Sequence, residues 1–412
     1  MLPLALALLS ALAGCGGVVP RLPGPPPAES FRETQPVGYG EVRFFGDRPS
    51  AGLLRDFSAS WRALRGRWIE KGRPDAPHRI DYLILSGGAA DGAFGVGVLN
   101  GWTDAGDRPR FRVVSGVSTG ALIAPYAFLG SAYDAALREV FLSPRGNDDL
   151  FDLAPIRMLR GALALTDSTP LRRRIETAIT PEMVEAIAAE HAKGRRLLIG
   201  TTHLDARLPV VWDLGAIASS GAPDREALIE QVLLASASIP GLAPPVPIRV
   251  AAGGAVFEEL HVDGGVGNTL IYASPQLSLG NPYEGEVPVE TTVWVIQNNK
   301  LYDSYQPVEP TLGQIVGLSV SELIRSQARG DQVRVYHLAE RDGLNYRLAQ
   351  VPQDFRAEAE EEFDPRYTGA LYQLGYDLAR TGYPWRTAPP GYGAKERVRA
   401  EESDAAQGPA LR

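Results

Sequence analysis

Read for the alternation of apolar and polar positions, the chain from residue 79 onward breaks into short strands separated by longer helical faces. Residues 80–85 (Ile-Asp-Tyr-Leu-Ile-Leu) form a brief apolar run with the length and composition of a strand buried on both faces. A glycine-rich loop and a helix-like stretch to Trp102 follow, and a second strand is expected over 111–117. Further strands are expected over 195–202, 209–213, 257–262, 292–296 and 333–338. Between them, residues 131–142 place Tyr133, Ala136, Leu137, Val140 and Phe141 on one helical face behind Ser131 as a cap. Pro170 and Pro181 each follow a Thr, which suits a cap and a first turn. A helix opening at Pro223 would bury Leu228, Ile229, Val232 and Leu233, and another is expected over 311–325. Strands alternating with helices predict an α/β fold with a mostly parallel sheet covered on both faces.

The flanks read differently. An apolar run from Met1 to Cys15 is shorter than the roughly 20 residues needed to span a bilayer, and matches the core of a signal peptide. Leu12-Ala13-Gly14-Cys15 resembles a bacterial lipobox, in which the Cys is lipidated and becomes the mature N-terminus; the leader departs from the usual pattern in carrying no Lys or Arg before Arg21. The expected organisation is thus a leader over 1–15, a Pro/Gly-rich tether and N-terminal extension over 16–78 with a helix near 57–69, a main domain over 79–345, a helical C-terminal extension over 346–385, and a disordered tail over 386–412. Glu358 to Glu362 reads as a solvated helix face and 371–381 as a last helix.

Three stretches carry chemistry. Gly116-Val117-Ser118-Thr119-Gly120 is a G-x-S-x-G motif between an expected strand and an expected helix, where a serine is forced outward on a turn that admits only small flanking residues. The helix that follows aims its free N–H groups at the same place. Ser86-Gly87-Gly88-Ala89-Ala90-Asp91-Gly92 follows the first strand; glycines let backbone amides approach a developing oxyanion closely. Gly95-Val96-Gly97 lacks the third glycine of a dinucleotide loop, and no Gly-Lys-Ser/Thr follows, which argues against phosphate binding. His261-Val262-Asp263-Gly264-Gly265 ends another strand, and places a carboxylate where open parallel sheets carry their sites.

The order of these elements resembles the patatin-like phospholipase family over residues 80–339. Ala235-Ser236-Ala237-Ser238-Ile239-Pro240, with Pro244-Pro245, is similar to that family's proline-containing segment. The resemblance implies a three-layer α/β/α sandwich and a serine acyl hydrolase working through a Ser118–Asp263 dyad. Ser118 would attack the ester carbonyl and Asp263 would take its proton. Gly87, Gly88 and Ala89 would supply the oxyanion-hole amides, Gly116, Gly120, Gly264 and Gly265 would shape the turns, and no metal or organic cofactor is implied. Two positions depart from the family pattern: Ala89 replaces a third glycine, and Asp91 stands where a basic residue is common.

The resemblance leaves two other readings in view. The order Ser118, Asp263, His337 matches a histidine-dependent α/β-hydrolase, with His261 and His203 as further candidates near the site. Weakening of the site by Ala89 and Asp91 would instead leave a lipid-anchored binding protein. A net charge of −8 argues against nucleic acid as a partner and offers no basic surface to anionic membranes, so an anchor at Cys15 is the expected membrane attachment. Gly16, not Asp, follows Cys15, and by resemblance to lipoprotein sorting this implies delivery to the outer membrane, facing the periplasm. The lone Cys and the absence of paired His exclude the usual zinc sites. Arg172 to Arg174 reads as a solvated helix face, Arg195-Arg196 as the start of a strand, and Trp102, Trp212 and Trp294 as core. The substrate is expected to be a lipid or other acyl ester; the oligomeric state is not legible.

Overall fold

The computed structural model describes residues 21–76, 78–144, 146–153, 166–272, 276–280, 282, 287–301, 307–357 and 359–393. The leader, Cys15 and the tail from 394 onward lie outside the described residues. Twelve strands are described: β1 (Gln35–Pro36), β2 (Arg43–Phe45), β3 (His78–Leu85), β4 (Val113–Val117), β5 (Asp152–Leu153), β6 (Thr166–Asp167), β7 (Arg196–His203), β8 (Leu208–Asp213), β9 (Val246–Ala252), β10 (Ala255–Asp263), β11 (Val289–Gln297) and β12 (Asn345–Gln350). The described helices are α1 (Ala51–Glu70), α2 (Gly92–Ala105), α3 (Thr119–Leu129), α4 (Asp134–Leu142), α5 (Thr169–Ala178), α6 (Pro181–Ala192), α7 (Leu214–Ala218), α8 (Arg225–Ser236), α9 (Leu312–Arg341) and α10 (Pro365–Arg380).

Ten of the strands form one mixed sheet, in the order β1-β9-β10-β7-β4-β3-β11-β12, with β8 branching from β7 and β2 from β8. The block β7-β4-β3-β11-β12 is parallel throughout. Its strands alternate between two cores: Leu83 and Leu85 of β3 join one cluster, Tyr82 and Ile84 the other. The first cluster lies under α2, α3, α6, α8 and α10; the second lies under α1 and the C-terminal half of α9. This is the expected three-layer α/β/α sandwich, and two-sided burial is why the strands read as continuous apolar runs. Trp102, Trp212 and Trp294 are all buried, as expected.

Three sequence expectations fail in the C-terminal third. Residues 333–338, expected as a strand, continue α9, a single helix of 30 residues. Its buried stripe is Ala328, Asp331, Gln332, Val335 and Ala339, a helical spacing hidden from hydropathy because two members are polar. Asp331 is buried because it accepts hydrogen bonds from the Thr269 and Leu270 amides. The missing parallel strand is β12 instead, an edge strand whose mixed composition carries no apolar run. β9 is likewise absent from the sequence expectations. The described part of the acidic run, residues 359–362, is bend and turn rather than helix: Glu361 accepts the Asn147 amide, and Asp364 caps α10 by accepting the Arg366 amide. Residues 386–393 are ordered against the body, with Arg386 and Leu348 exchanging backbone hydrogen bonds. Thr180 caps α6 as expected, whereas Ser168 takes the cap position of α5 and Thr169 lies inside it.

α2 and α10 pack backbone to backbone. A Cβ on Gly97 would lie 2.1 Å from the Tyr372 carbonyl oxygen, one on Gly101 2.2 Å from that of Tyr376, and one on Gly375 2.3 Å from that of Phe94. No rotamer change relieves a clash with backbone, so the helices would have to separate. Gly97→Val is expected to cost about 3 kcal/mol or more by overpacking and to lower the thermal midpoint on the order of 5 °C or more. An unchanged melt would show that the two helices do not need this approach.

Candidate active site

The site forms where two strands meet end to end. β8 occupies one edge of β7. On the opposite edge, β4 runs parallel to β7 until Val117 faces Gly200, while β10 arrives antiparallel and ends with Asp263 facing Thr201. Both chains must leave the sheet at neighbouring β7 residues, which brings Ser118 and Asp263 together. The exit of β10 needs Gly264, because a Cβ there would lie 2.5 Å from the Gly200 carbonyl oxygen. The exit of β4 holds Ser118 at φ 54° and ψ −126°, a conformation that strains any residue with a Cβ by about 1–3 kcal/mol. Gly116 and Gly120 allow that turn to close: a Cβ on either would stand 2.2 Å from the Gly120 oxygen or 2.4 Å from the Leu85 oxygen, respectively.

One segment clamps both residues. Ser236 Oγ donates to the Gly200 carbonyl at 2.6 Å and accepts the Ser118 amide at 3.0 Å. The Ser238 carbonyl accepts the Asp263 amide at 2.9 Å, and Thr202 Oγ1 donates to the Asp263 carbonyl at 3.0 Å. The stretch from Ala235 to Pro240, similar in sequence to a family segment, therefore acts through its two serines. The glycine loop is pinned separately. Asn298, just beyond β11, donates its amide to Ser86 Oγ and its side-chain N–H to the Ser86 carbonyl; Thr119 Oγ1 donates to the Ala89 carbonyl at 2.9 Å. Sequence reasoning does not single out Asn298; its one signal is a polar residue at the C-terminal end of a parallel strand.

Among the described residues, the amides of Gly87, Gly88 and Ala89 have no backbone acceptor. Gly87 passes so close that its Cβ would lie 2.9 Å from Ser118 Cβ. Ala89 sits at φ 44°, so the position that departs from glycine does adopt the left-handed conformation, at a cost of about 1–2 kcal/mol. Asp91 is held by Tyr367 of α10, whose hydroxyl donates to Oδ1 at 2.7 Å. Burial pushes the Asp91 carboxyl up to about 6 despite that hydrogen bond, and the nearby Glu362 adds to the rise. The carboxyl expected from the sequence beside the glycine loop is thus engaged by the Tyr367 hydroxyl.

Asp263 is 2% exposed, and its Oδ1 accepts the Gly265 amide at 2.7 Å. Burial pushes its carboxyl up to about 6, against the Ser118 hydroxyl and the Gly265 amide, which both favour the charged form. Farther back along β10, Glu259 is fully buried between Arg43, Thr34, His261 and His203. Burial pushes the Glu259 carboxyl up, but hydrogen bonds from His203, His261 and Arg43, with the Arg43 charge, outweigh it and hold the group well below the usual range. Thr201 Oγ1 accepts from Trp212 Nε1 and so donates its own proton to His261 Nδ1; the other ring nitrogen then donates to Glu259. Burial holds His261 down at about 4, as this neutral form requires.

The histidine candidates are corrected by this arrangement. His261 shares a strand face with Asp263, and His203 lies across from it in register, but both are committed to Glu259. His337 lies on the exposed side of α9 against Glu340, 12 residues beyond Arg325 and so about 18 Å farther along the helix. No group of three or more His, Cys, Asp or Glu among the described residues has metal-site geometry.

Ser118 stands between two spaces of different character. A narrow cavity of ≈ 100 Å³ runs among Leu122, Tyr126, Phe141, Ile175, Leu233 and Ile239. A wider cleft of ≈ 840 Å³ is bounded by the glycine loop, Asp263, Gln297, Lys300, Arg325 and Tyr367. Arg174 reaches the narrow cavity, while Arg195 and Arg196 are buried in ion pairs with Glu190 and Asp56.

Residues 83–273 match the family model described as patatin-like phospholipase. Among solved structures, the crystal structure of VipD from Legionella pneumophila is similar over 74% of this chain and 67% of that chain, at 14% identity and a TM-score of 0.36. No curated protein matches the chain.

A carboxyl with a raised folded-state pKa contributes stability below its unfolded value of about 3.8 that is lost as pH rises through about 6. Asp263→Asn keeps an acceptor for the Gly265 amide and removes the buried charge. The variant is expected to be more stable than the parent at pH 8, by up to about 3 kcal/mol for a shift of roughly two units, and no more stable at pH 4. Denaturant melts at the two pH values check this; an equal effect at both would mean that Asp263 is not desolvated.

Proposed function

We propose, from the match of residues 83–273 to the patatin-like phospholipase family model, that the chain hydrolyses lipid acyl esters with Ser118 as nucleophile and Asp263 as its base. What supports this most directly is the position of Ser118, which faces a buried carboxyl at the junction of a narrow apolar cavity and a wide polar cleft. An acyl chain fits the first and a polar head group the second, so the scissile carbonyl would lie over the serine.

In this reading Asp263 takes the Ser118 proton as Oγ bonds to the carbonyl carbon. The carbonyl oxygen becomes an oxyanion facing the amides of Gly87, Gly88 and Ala89. Collapse expels the alcohol, which leaves with the proton from Asp263. Water then attacks the acyl-enzyme and gives a proton to Asp263; collapse breaks the bond from the acyl carbon to Ser118 Oγ, which takes that proton back, and the fatty acid departs. Because the Ser118 amide is held by Ser236, the proposed hole is built from the glycine loop rather than the nucleophile's own N–H. The strain at Ser118 and the raised pKa of Asp263 are costs carried for this arrangement. We extend the proposal to the N-terminus: a leader ending at Cys15, lipidation there, and delivery to the outer membrane facing the periplasm.

Ser118→Ala is expected to lower the turnover of a short-chain p-nitrophenyl ester by about 10³-fold or more. Asp263→Asn should reduce it comparably while the protein remains folded. In the parent, kcat/KM should rise with pH through about 6 as Asp263 loses its proton, then level off. Asp91→Asn should keep that limb, although Asp91 titrates in the same range. Full activity in Asp263→Asn would remove the dyad. An inactive parent would leave the site as a binding pocket.

A further inference from the structure

The first half of α9 stands away from the body. From Gln314 to Leu323 its described side chains are exposed or half-buried, over an axial length of about 14 Å, and the first buried one among the described side chains is Ala328. Exposure here involves large apolar groups: Ile315 and Leu318 are each 49% exposed, Leu323 is 70% and, just before the helix, Val308 is 50%. Between Pro310 and Ser321 the sequence has no charged residue. A water-facing helix normally places charged and polar residues on its outer side, and contiguous exposed apolar surface marks a contact with a partner or a membrane.

This helix is also the rim of the cleft. Ser321, Ile324 and Arg325 line the space that leads to Ser118, and a Cβ on Gly265 would touch Ile324 at 3.7 Å. Val266, in the turn after Asp263, is 46% exposed at the same mouth. A second observation concerns the other end of the chain. Arg21, the first described residue, is held in a bidentate pair by Asp205 in the turn after β7, and Leu22 beside it is 88% exposed. That turn lies at the C-terminal edge of the parallel strands, the edge that carries Ser118. The chain before Arg21 therefore joins the body at the end of the molecule where α9 projects.

We infer that the exposed apolar half of α9 is the surface by which the protein seats its cleft on a lipid bilayer. The inference rests on the acyl hydrolase reading, since a cleft for lipid esters must open toward lipid. The helix lies in the interface rather than across it, because no described helix is long and apolar enough to cross a membrane. Contact is made by Ile315, Leu318 and Leu323 entering the acyl boundary. With Glu309 and Glu322 at its ends and no cation between, the segment draws no attraction from anionic lipid. Binding should therefore occur on phosphatidylcholine and be nearly independent of salt.

The chain's single cysteine makes the test direct. Full-length protein carrying Cys15→Ser has no thiol and no proposed anchor; Leu318→Cys or Leu323→Cys then accepts an environment-sensitive fluorophore. Ile69→Cys, 57% exposed at the end of α1 near the start of β3, is the control on the opposite edge of the sheet. Phosphatidylcholine vesicles should shift the emission to the blue at 318 and 323 but not at 69. Leu318→Ser with Leu323→Ser should lower vesicle partitioning about tenfold or more and leave turnover of a monomeric short-chain ester unchanged. No shift at 318 and 323, an equal shift at 69, or binding that needs anionic lipid and disappears in salt would each overturn the docking surface. A shift that grows with protein concentration without vesicles would overturn it in favour of a second copy of the chain. Blue shifts in a protein that turns over no monomeric ester would sink the hydrolase reading and leave the lipid contact standing.

Discussion

Two strands compete for one edge of β7, and most of what is distinctive in this molecule follows from how that conflict is resolved. β4 and β10 approach from opposite directions and cannot overlap, so each must leave the sheet within a residue of the other. An abrupt exit beside another backbone permits no Cβ, which accounts for Gly264 and for the glycines around Ser118. It also brings a hydroxyl and a carboxyl to the wall of one cleft although 145 positions separate them in the chain, by subtraction of their residue numbers. The rest of the domain stabilises these two exits.

That support comes in two layers. Close to the exits, Ser236, Ser238 and Thr202 take up the backbone groups that leaving the sheet would otherwise orphan. Farther back, the Glu259 network ties β10 to β7 through His203 and His261, and to the N-terminal segment through Thr34 and Arg43. A buried ion network of this kind is weak evidence for stability, because desolvation offsets most of its Coulombic gain. Its effect is register: β10 can pair with β7 in only one way that leaves no charge unpartnered. A shift of one residue would turn Glu259 out of its partners and move Asp263 away from Ser118. The N-terminal segment is thereby part of the scaffold of the site, since β1 and β2 extend the same sheet and Arg43 supplies the counter-charge.

The site itself stores unfavourable terms. Ser118 and Ala89 are strained, and Asp263 and Asp91 are carboxyls deprived of water. Such costs are tolerated where the surroundings over-determine the geometry, as the helix pair α2 and α10 does by close backbone packing. Asp91 illustrates the balance. Its burial raises its pKa, while its hydrogen bond to Tyr367 ties the glycine loop to α10.

The parallel core, the strand-to-helix turn at Ser118, the glycine loop and the carboxylate at the end of β10 are legible in the chain alone. Each is a local matter: a strand buried on both faces must be apolar along its length, and a backbone that turns sharply must be glycine. Tertiary structure decided what depends on contacts between distant segments. α9 runs through 333–338 because Asp331 is buried against Thr269 and Leu270 after β10 and Gln332 against Gln297 at the end of β11, a demand invisible to hydropathy. β12 is a strand because β11 offers it an edge. His203 and His261, chemically suited to the site, were withdrawn from it by Glu259, and Asn298 was recruited to the loop from the end of β11. The residue types for the chemistry were readable because local geometry restricts them. Their partners were not, because a hydrogen bond across the fold leaves no period in the chain.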